Sequence, residues 1–136
     1  MTTTSKTYIP NTVILITGDR NWTDYDYIYN VLSSYTQPVL VIHGGCRGAD
    51  LLSDKAARKL GFNVESRLAN WSKYGYKPGP IRNIEMIELS SSYIGKAQTV
   101  QVIAFHDNLE NSKGTKHCME KAKQYGLAVI HYSHNK

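Results

Sequence analysis

The chain has 136 residues, a formal net charge of +5, and 41% hydrophobic against 20% charged residues. That describes one globular domain with a single core, not two. The apolar runs fall far short of the roughly 18 residues of a membrane helix, Met1–Asn11 has no apolar signal-like stretch, and Cys46 and Cys118 make no disulfide framework. The expectation is a cytoplasmic protein with no membrane partner. A basic excess suits an anionic partner. The sequence lacks the run of five or six like charges that marks a nucleic-acid tail.

Residues 1–11 read as a polar arm. Thr12–Thr17 is apolar and β-branched, and Gly18 ends it, as expected of a strand buried on both faces in a parallel sheet. Thr23 and Asp24 are both cap candidates for a helix carrying Tyr27, Ile28, Val31 and Leu32, which Gln37-Pro38 stops. Val39–Ile42 is a second buried strand, followed by Gly44 and Gly45. A helix is expected from about Gly48 to Leu60, with Ala49, Leu52, Ala56 and Leu60 on one stripe and Gly61 after it. Asn63–Leu68 is a weaker strand.

Residues 70–80 read as a loop rich in aromatic, glycine and proline residues, leading into a helix through Ile84, Ile87 and Glu88. Gln98–Phe105 is the fourth strand and His106–Lys113 a polar loop. Gly114–Tyr125 is a helix ended by Gly126, and Ala128–Tyr132 a fifth strand. Alternating strands and helices predict an α/β fold: a compact Rossmann-like parallel sheet of about five strands with helices on both faces. Residues 12–132 form one domain, and 133–136 a short tail.

In such sheets ligands bind beyond the carboxyl ends of the strands. Those ends carry small, polar or basic residues here. Gly18, Asp19, Arg20 and Trp22 follow the first strand. His43, Gly44, Gly45, Cys46, Arg47, Gly48 and Asp50 follow the second. His106, then Lys113, Gly114 and Thr115, follow the fourth. Glycines let backbone amides approach a phosphate, helix N-termini favour anions, and arginines bond phosphate oxygens bidentately. Gly44–Asp50 therefore reads as an anion cradle, against the plain reading of a connecting turn. It is neither a Walker A loop nor a dinucleotide fingerprint, and no cofactor is called.

Gly114-Thr115 reads as an N-cap or as a second phosphate or ribose contact. Arg82 and Asn83 begin the third helix, and Glu85 shares a face with Arg82. The plain reading is a surface ion pair. The functional one is a catalytic or sugar-orienting pair at a pocket wall. Trp71, Tyr74 and Tyr76 either stack on a base or pack their loop. The histidines and cysteines have no zinc-type spacing, and no metal site is expected.

The motifs Ile16-Thr-Gly-Asp-Arg20, Val41-Ile-His-Gly-Gly-Cys-Arg-Gly-Ala-Asp50, Asn70-Trp71, Gly79-Pro-Ile-Arg-Asn83 and Gly114-Thr115 resemble the YspA/YpsA-related branch of the SLOG superfamily. The resemblance runs over about residues 12 to 132. It implies a nucleotide or nucleotide-derived ligand held by Gly18, Asp19, Arg20, Gly44, Gly45, Arg47, Gly48, Asp50, Trp71, Arg82, Asn83, Gly114 and Thr115. It also implies a homodimer or larger homo-oligomer.

The same superfamily contains the LOG phosphoribohydrolases, and Arg82-Asn-Ile-Glu-Met86 resembles one of their motifs. Their second motif, with its paired glutamates, is replaced by Gly114-Thr-Lys-His-Cys118. The glutamates fall on His117 and Cys118, and the family's aspartate before Trp71 is Asn70. N-glycoside cleavage wants a carboxylate beside the sugar, so these replacements favour a sensor or sponge that binds without turnover. The alternative is a phosphoribohydrolase-like hydrolase with Arg82 on phosphate and Glu85 near the ribose. A third reading, as in the related DNA-processing proteins, is single-stranded nucleic-acid binding.

Overall fold

The structure is a computed structural model that describes residues 9–67 and 78–135. Five parallel strands form one sheet in the order β3-β2-β1-β4-β5: β1 Thr12–Gly18, β2 Val39–His43, β3 Asn63–Ser66, β4 Thr99–Phe105 and β5 Ala128–Tyr132. The helices are α1 Tyr25–Leu32, α2 Ala49–Lys59, α3 Pro78–Ser91 and α4 Gly114–Gln124.

Side chains of a strand alternate between sheet faces, and β1 shows this plainly. Ile14 and Ile16 join one core with Val41, Phe105 and the buried residues of α1 and α2. Val13 and Leu15 join the other with Ile42, Val102, Met86, Ile87 and Ala122, under α3 and α4. Both faces are covered, which is why the central strands read as continuous apolar runs. Ile14, Leu15 and Ile16 are fully buried, each worth roughly 1.5–3 kcal/mol. They fix the place of the polar residues that follow β1.

Some boundaries differ from the sequence expectation. Of the two expected cap candidates Asp24 is the one that caps α1, its Oδ1 accepting from the Tyr27 amide at 3.1 Å. The helix ends at Leu32, well before Pro38, where Ser33 and Ser34 hydroxyls turn back onto the Asn30 and Val31 carbonyls. Gly79 and Pro80 lie in the first turn of α3 rather than in a loop before it. A first turn suits proline, since its amides have no partner within the helix. Arg82 and Asn83 accordingly sit in the second turn. A short 3₁₀ turn, Leu109–Asn111, interrupts the expected polar loop.

The C-terminal tail is anchored. His134 places Nδ1 2.8 Å from Asp107 Oδ2 and Nε2 2.8 Å from Asp24 Oδ2. Two carboxylate partners make both ring nitrogens donors, which is the imidazolium form. The ring stacks on Trp22, centroids 4.6 Å apart. The Asp107 and Asp24 hydrogen bonds raise the His134 pKa. Asp24 is lowered, chiefly by His134. Desolvation pushes Asp107 up, but the His134 bonds outweigh it and hold the carboxyl low.

A raised histidine contributes fully below its unfolded pKa and is lost as pH rises through the raised value. Lowered carboxylates contribute fully above theirs and are lost on acidification. The anchor is therefore complete between about pH 4 and about pH 6.5. In a Trp71→Phe background, Trp22 emission should be quenched in that window and recover as the pH rises beyond it. A titration identical to that of His134→Ala would refute the anchor.

Candidate functional site

Strand order reverses direction between β1 and β4, because β2 and β3 are laid on one side of β1 and β4 on the other. That switch point leaves a crevice at the carboxyl ends of the strands. A polar cleft of about 390 Å³ lies there. Gly18, Asp19 and Arg20 line it from β1, His106 from β4, and Ser112 to Thr115 from the start of α4. Asp50 and Arg82 reach it from α2 and α3. A second cleft of about 650 Å³ adjoins it, bounded by Gly44, Gly45, Pro80 and His117. Arg20, Cys46, Arg82, Asn83, Lys113 and Gly114 line both.

The Gly44–Asp50 segment is built differently from the expected cradle. Asp50 Oδ2 accepts the amides of Gly44 at 3.1 Å and Cys46 at 3.2 Å. His43 Nδ1 accepts the Gly45 amide at 2.9 Å. These amides are committed within the protein rather than offered to a phosphate. His43 is fully buried, and its Nε2 donates to Asp54 at 2.6 Å. Partial burial opposes ionisation of Asp54, yet Arg58 and His43 hold its carboxyl low. Burial pushes the Asp50 carboxyl up, against the pull of the Cys46 amide, His43 and Arg82.

Arg82 ties the two clefts together. Its Nη1 donates to Gly44 O at 3.1 Å and approaches Cys46 Sγ at 3.4 Å. The guanidinium lies flush on Gly44, where an added Cβ would stand 2.9 Å from it. Asn83 is buried, and its Nδ2 bonds Gly114 O at 3.3 Å and His117 Nδ1 at 3.2 Å, joining α3 to the start of α4. Thr115 is not the cap of α4; its amide donates to Ser112 Oγ at 3.1 Å.

The remaining expected residues divide. Gly48 supports the site from behind, packed on the backbone of Asp19 and Arg20. Arg47 is exposed and bonds Asn21 Oδ1 at 3.2 Å, at the rim rather than in either cleft. Glu85 is not among the described residues lining either cleft. Trp71, with Asn70, lies outside the described residues. Trp22 is a core residue packed on Phe105.

His117 and Cys118 stand where the resemblance to the hydrolase motif would put its glutamates. His117 lines the second cleft. Cys118 is buried in the core, where burial pushes its thiol up to about 12 despite a Thr17 hydrogen bond. Among the described residues, no three His, Cys, Asp or Glu side chains gather as a metal site. No helix among them is long and apolar enough to cross a membrane.

Asn21, Asn111 and Ser112 line the polar cleft without a sequence signal, while His106 stood in the sequence only as one of the polar residues following the strands. For His106, the signal was its place directly after a buried strand, at the switch point.

Fold and site together define a Rossmann-like α/β protein with a polar cleft at its switch point. Within that class, the chain belongs to the YspA, cpYpsA-related SLOG family, whose model matches residues 12–74. It is 38% identical over 128 residues to the Gene 61 protein of Mycobacterium phage D29, covering 88% of this chain and 94% of that protein. Among solved structures it is similar to DNA processing protein A of Streptococcus pneumoniae, with a TM-score of 0.68 at 14% identity over 88% of this chain. The chain spans 50% of that protein's length. It is also similar to the C-terminal domain of the PF1911 hydrogenase of Pyrococcus furiosus, with a TM-score of 0.50 at 13% identity, covering 90% of this chain and 91% of that domain. At such identities the two structures share the fold alone.

Proposed function

We propose that the paired clefts bind a nucleotide or nucleotide-derived ligand, as a sensor or sponge. The phosphate lies at the start of α4, and the sugar and base extend into the second cleft. One observation carries this: Arg20, Arg82 and Lys113 each line both clefts. Cations focused in a concave site raise the local concentration of an anionic ligand. The N-terminus of α4 adds partial positive charge. Family membership supports a nucleotide-related role.

The test is to incubate the purified chain with nucleoside mono- and diphosphates, cyclic nucleotides and ADP-ribose derivatives, followed by gel filtration and chromatography of the small molecules. Retention of one compound unchanged is the expected result. Release of free base would establish a hydrolase instead. Binding only to an oligonucleotide, falling steeply with salt, would overturn the small-molecule reading. The same column reads the oligomeric state, for which a homodimer or larger is expected.

A hydrolase is the second reading, favoured by one feature. Asp50 lines the polar cleft with its carboxyl pushed up by burial, a common mark of functional sites. In that reading Asp50, rather than Glu85, supplies the carboxylate. Glu85→Gln should then change retention or turnover by no more than about twofold, as for substitutions away from a site. A larger loss would return Glu85 to the mechanism.

A further inference from the structure

We infer that His106 recognises the ligand, presenting a neutral imidazole N–H to a phosphoryl oxygen in the polar cleft. This rests on the nucleotide reading above. His106 is the first residue after β4 and is only 8% exposed. Its Nδ1 accepts the Asn108 amide at 2.9 Å. A ring nitrogen that accepts carries no proton, so in the neutral ring the hydrogen sits on Nε2. The backbone is held on both sides: the His106 amide donates to Tyr132 O at 3.1 Å, and His131 Nε2 donates to His106 O at 2.7 Å.

The ring lines the polar cleft beside Gly18 and Asp19, together with Ser112, Lys113, Gly114 and Thr115. Its Nε2 has no partner among the described residues. It is not one of the buried polar atoms left without a partner, so it opens to the cleft, where a ligand oxygen can replace water on it. The neighbours decide which ligand atom it meets. Lys113 and the N-terminus of α4 border the same cleft, and negative oxygens settle there. A neutral donor with a fixed tautomer adds direction to that charge.

The test uses the full chain with AMP, adenosine and inorganic phosphate as probes, read by long-range ¹H–¹⁵N spectra of the imidazole rings. The His106 signals are assigned by their loss in His106→Ala. The free protein should show the Nε2–H tautomer, and AMP, but not adenosine, should shift that nitrogen. His106→Ala should weaken AMP about tenfold or more, the scale of a hydrogen bond to a charged group, and leave adenosine unchanged. His106→Gln keeps an N–H donor and should recover most of the loss. If the alanine variant fails to fold, the wild-type spectra and the glutamine variant decide.

An Nδ1–H tautomer, or AMP binding that leaves the ring unmoved, overturns the inference while the nucleotide reading stands. A shift with phosphate but binding of no nucleotide keeps the anion contact and overturns the nucleotide reading. Silence with every probe overturns both.

Discussion

Arg82→Ala is expected to lower ligand affinity by about tenfold to a hundredfold, the equivalent of one or two hydrogen bonds to a charged group. The side chain is shared by both clefts and clamps the loop at Gly44 O and Cys46 Sγ. Its Nε is buried without a partner among the described residues, so a ligand meets the guanidinium through its Nη groups. Arg82→Lys keeps the charge but loses the planar fork and should fall between wild type and alanine. Gly44→Ala should act in the same direction, because its Cβ would displace the guanidinium. Equilibrium dialysis against the compound retained on the column measures all three. Undiminished affinity in Arg82→Ala would remove this residue from the site.

The largest effect on stability is expected at Gly48. Its φ is +78°, and an added Cβ would lie 2.4 Å from the backbone of Arg20 and from Asp19 O. The backbone conformation costs about 1–3 kcal/mol for a residue with a side chain. Overpacking adds about 1–3 kcal/mol. Gly48→Ala should therefore lower Tm by about 10 °C or more. Gly126 supplies the control: its φ is +84°, but nothing lies within 4 Å of its would-be Cβ. Gly126→Ala should show the backbone cost alone. Equal melting shifts in the two variants would mean that the close approach at Gly48 is not rigid. The damage at Gly48 should reach the site too, since Ala49 N bonds Asp19 O at 3.0 Å across that contact.

Much of this architecture is legible from the chain. The central strands announce themselves because both their faces are buried, leaving unbroken apolar runs such as Val13–Ile16. β3 is weaker in sequence because it lies at a sheet edge with half its residues exposed. The cleft position follows from where the strands end. What the chain conceals is the direction of hydrogen bonds. Gly44, Gly45 and Cys46 have the composition of a phosphate loop, yet their amides turn to Asp50 and His43, and only side-chain placement reveals that. Likewise the anchor of His134 joins Asp24 and Asp107, residues with no local pattern in common. Arg82 was found because it stands in a distinctive motif. His106 was visible as the residue after the fourth strand but not as a ligand contact, because its meaning depends on the Asn108 amide that fixes its tautomer.

The position of β1 has a consequence for how the chain comes to be folded. Thr12 sits beside both Val39 and Thr99, so the strand made first needs one partner made soon after and another made late. Pairings between distant segments close slowly. During synthesis β1, β2 and β3 can assemble with α1 and α2 while β4 has yet to emerge. Until then the half-sheet ends in an open edge at β1, with Val13 and Leu15 lacking the part of their cover that β4 and α4 bring. Such an edge is a template for unwanted pairing with another chain. A nascent chain stalled before Thr99 should be the species most prone to aggregate, and the one a chaperone would hold longest.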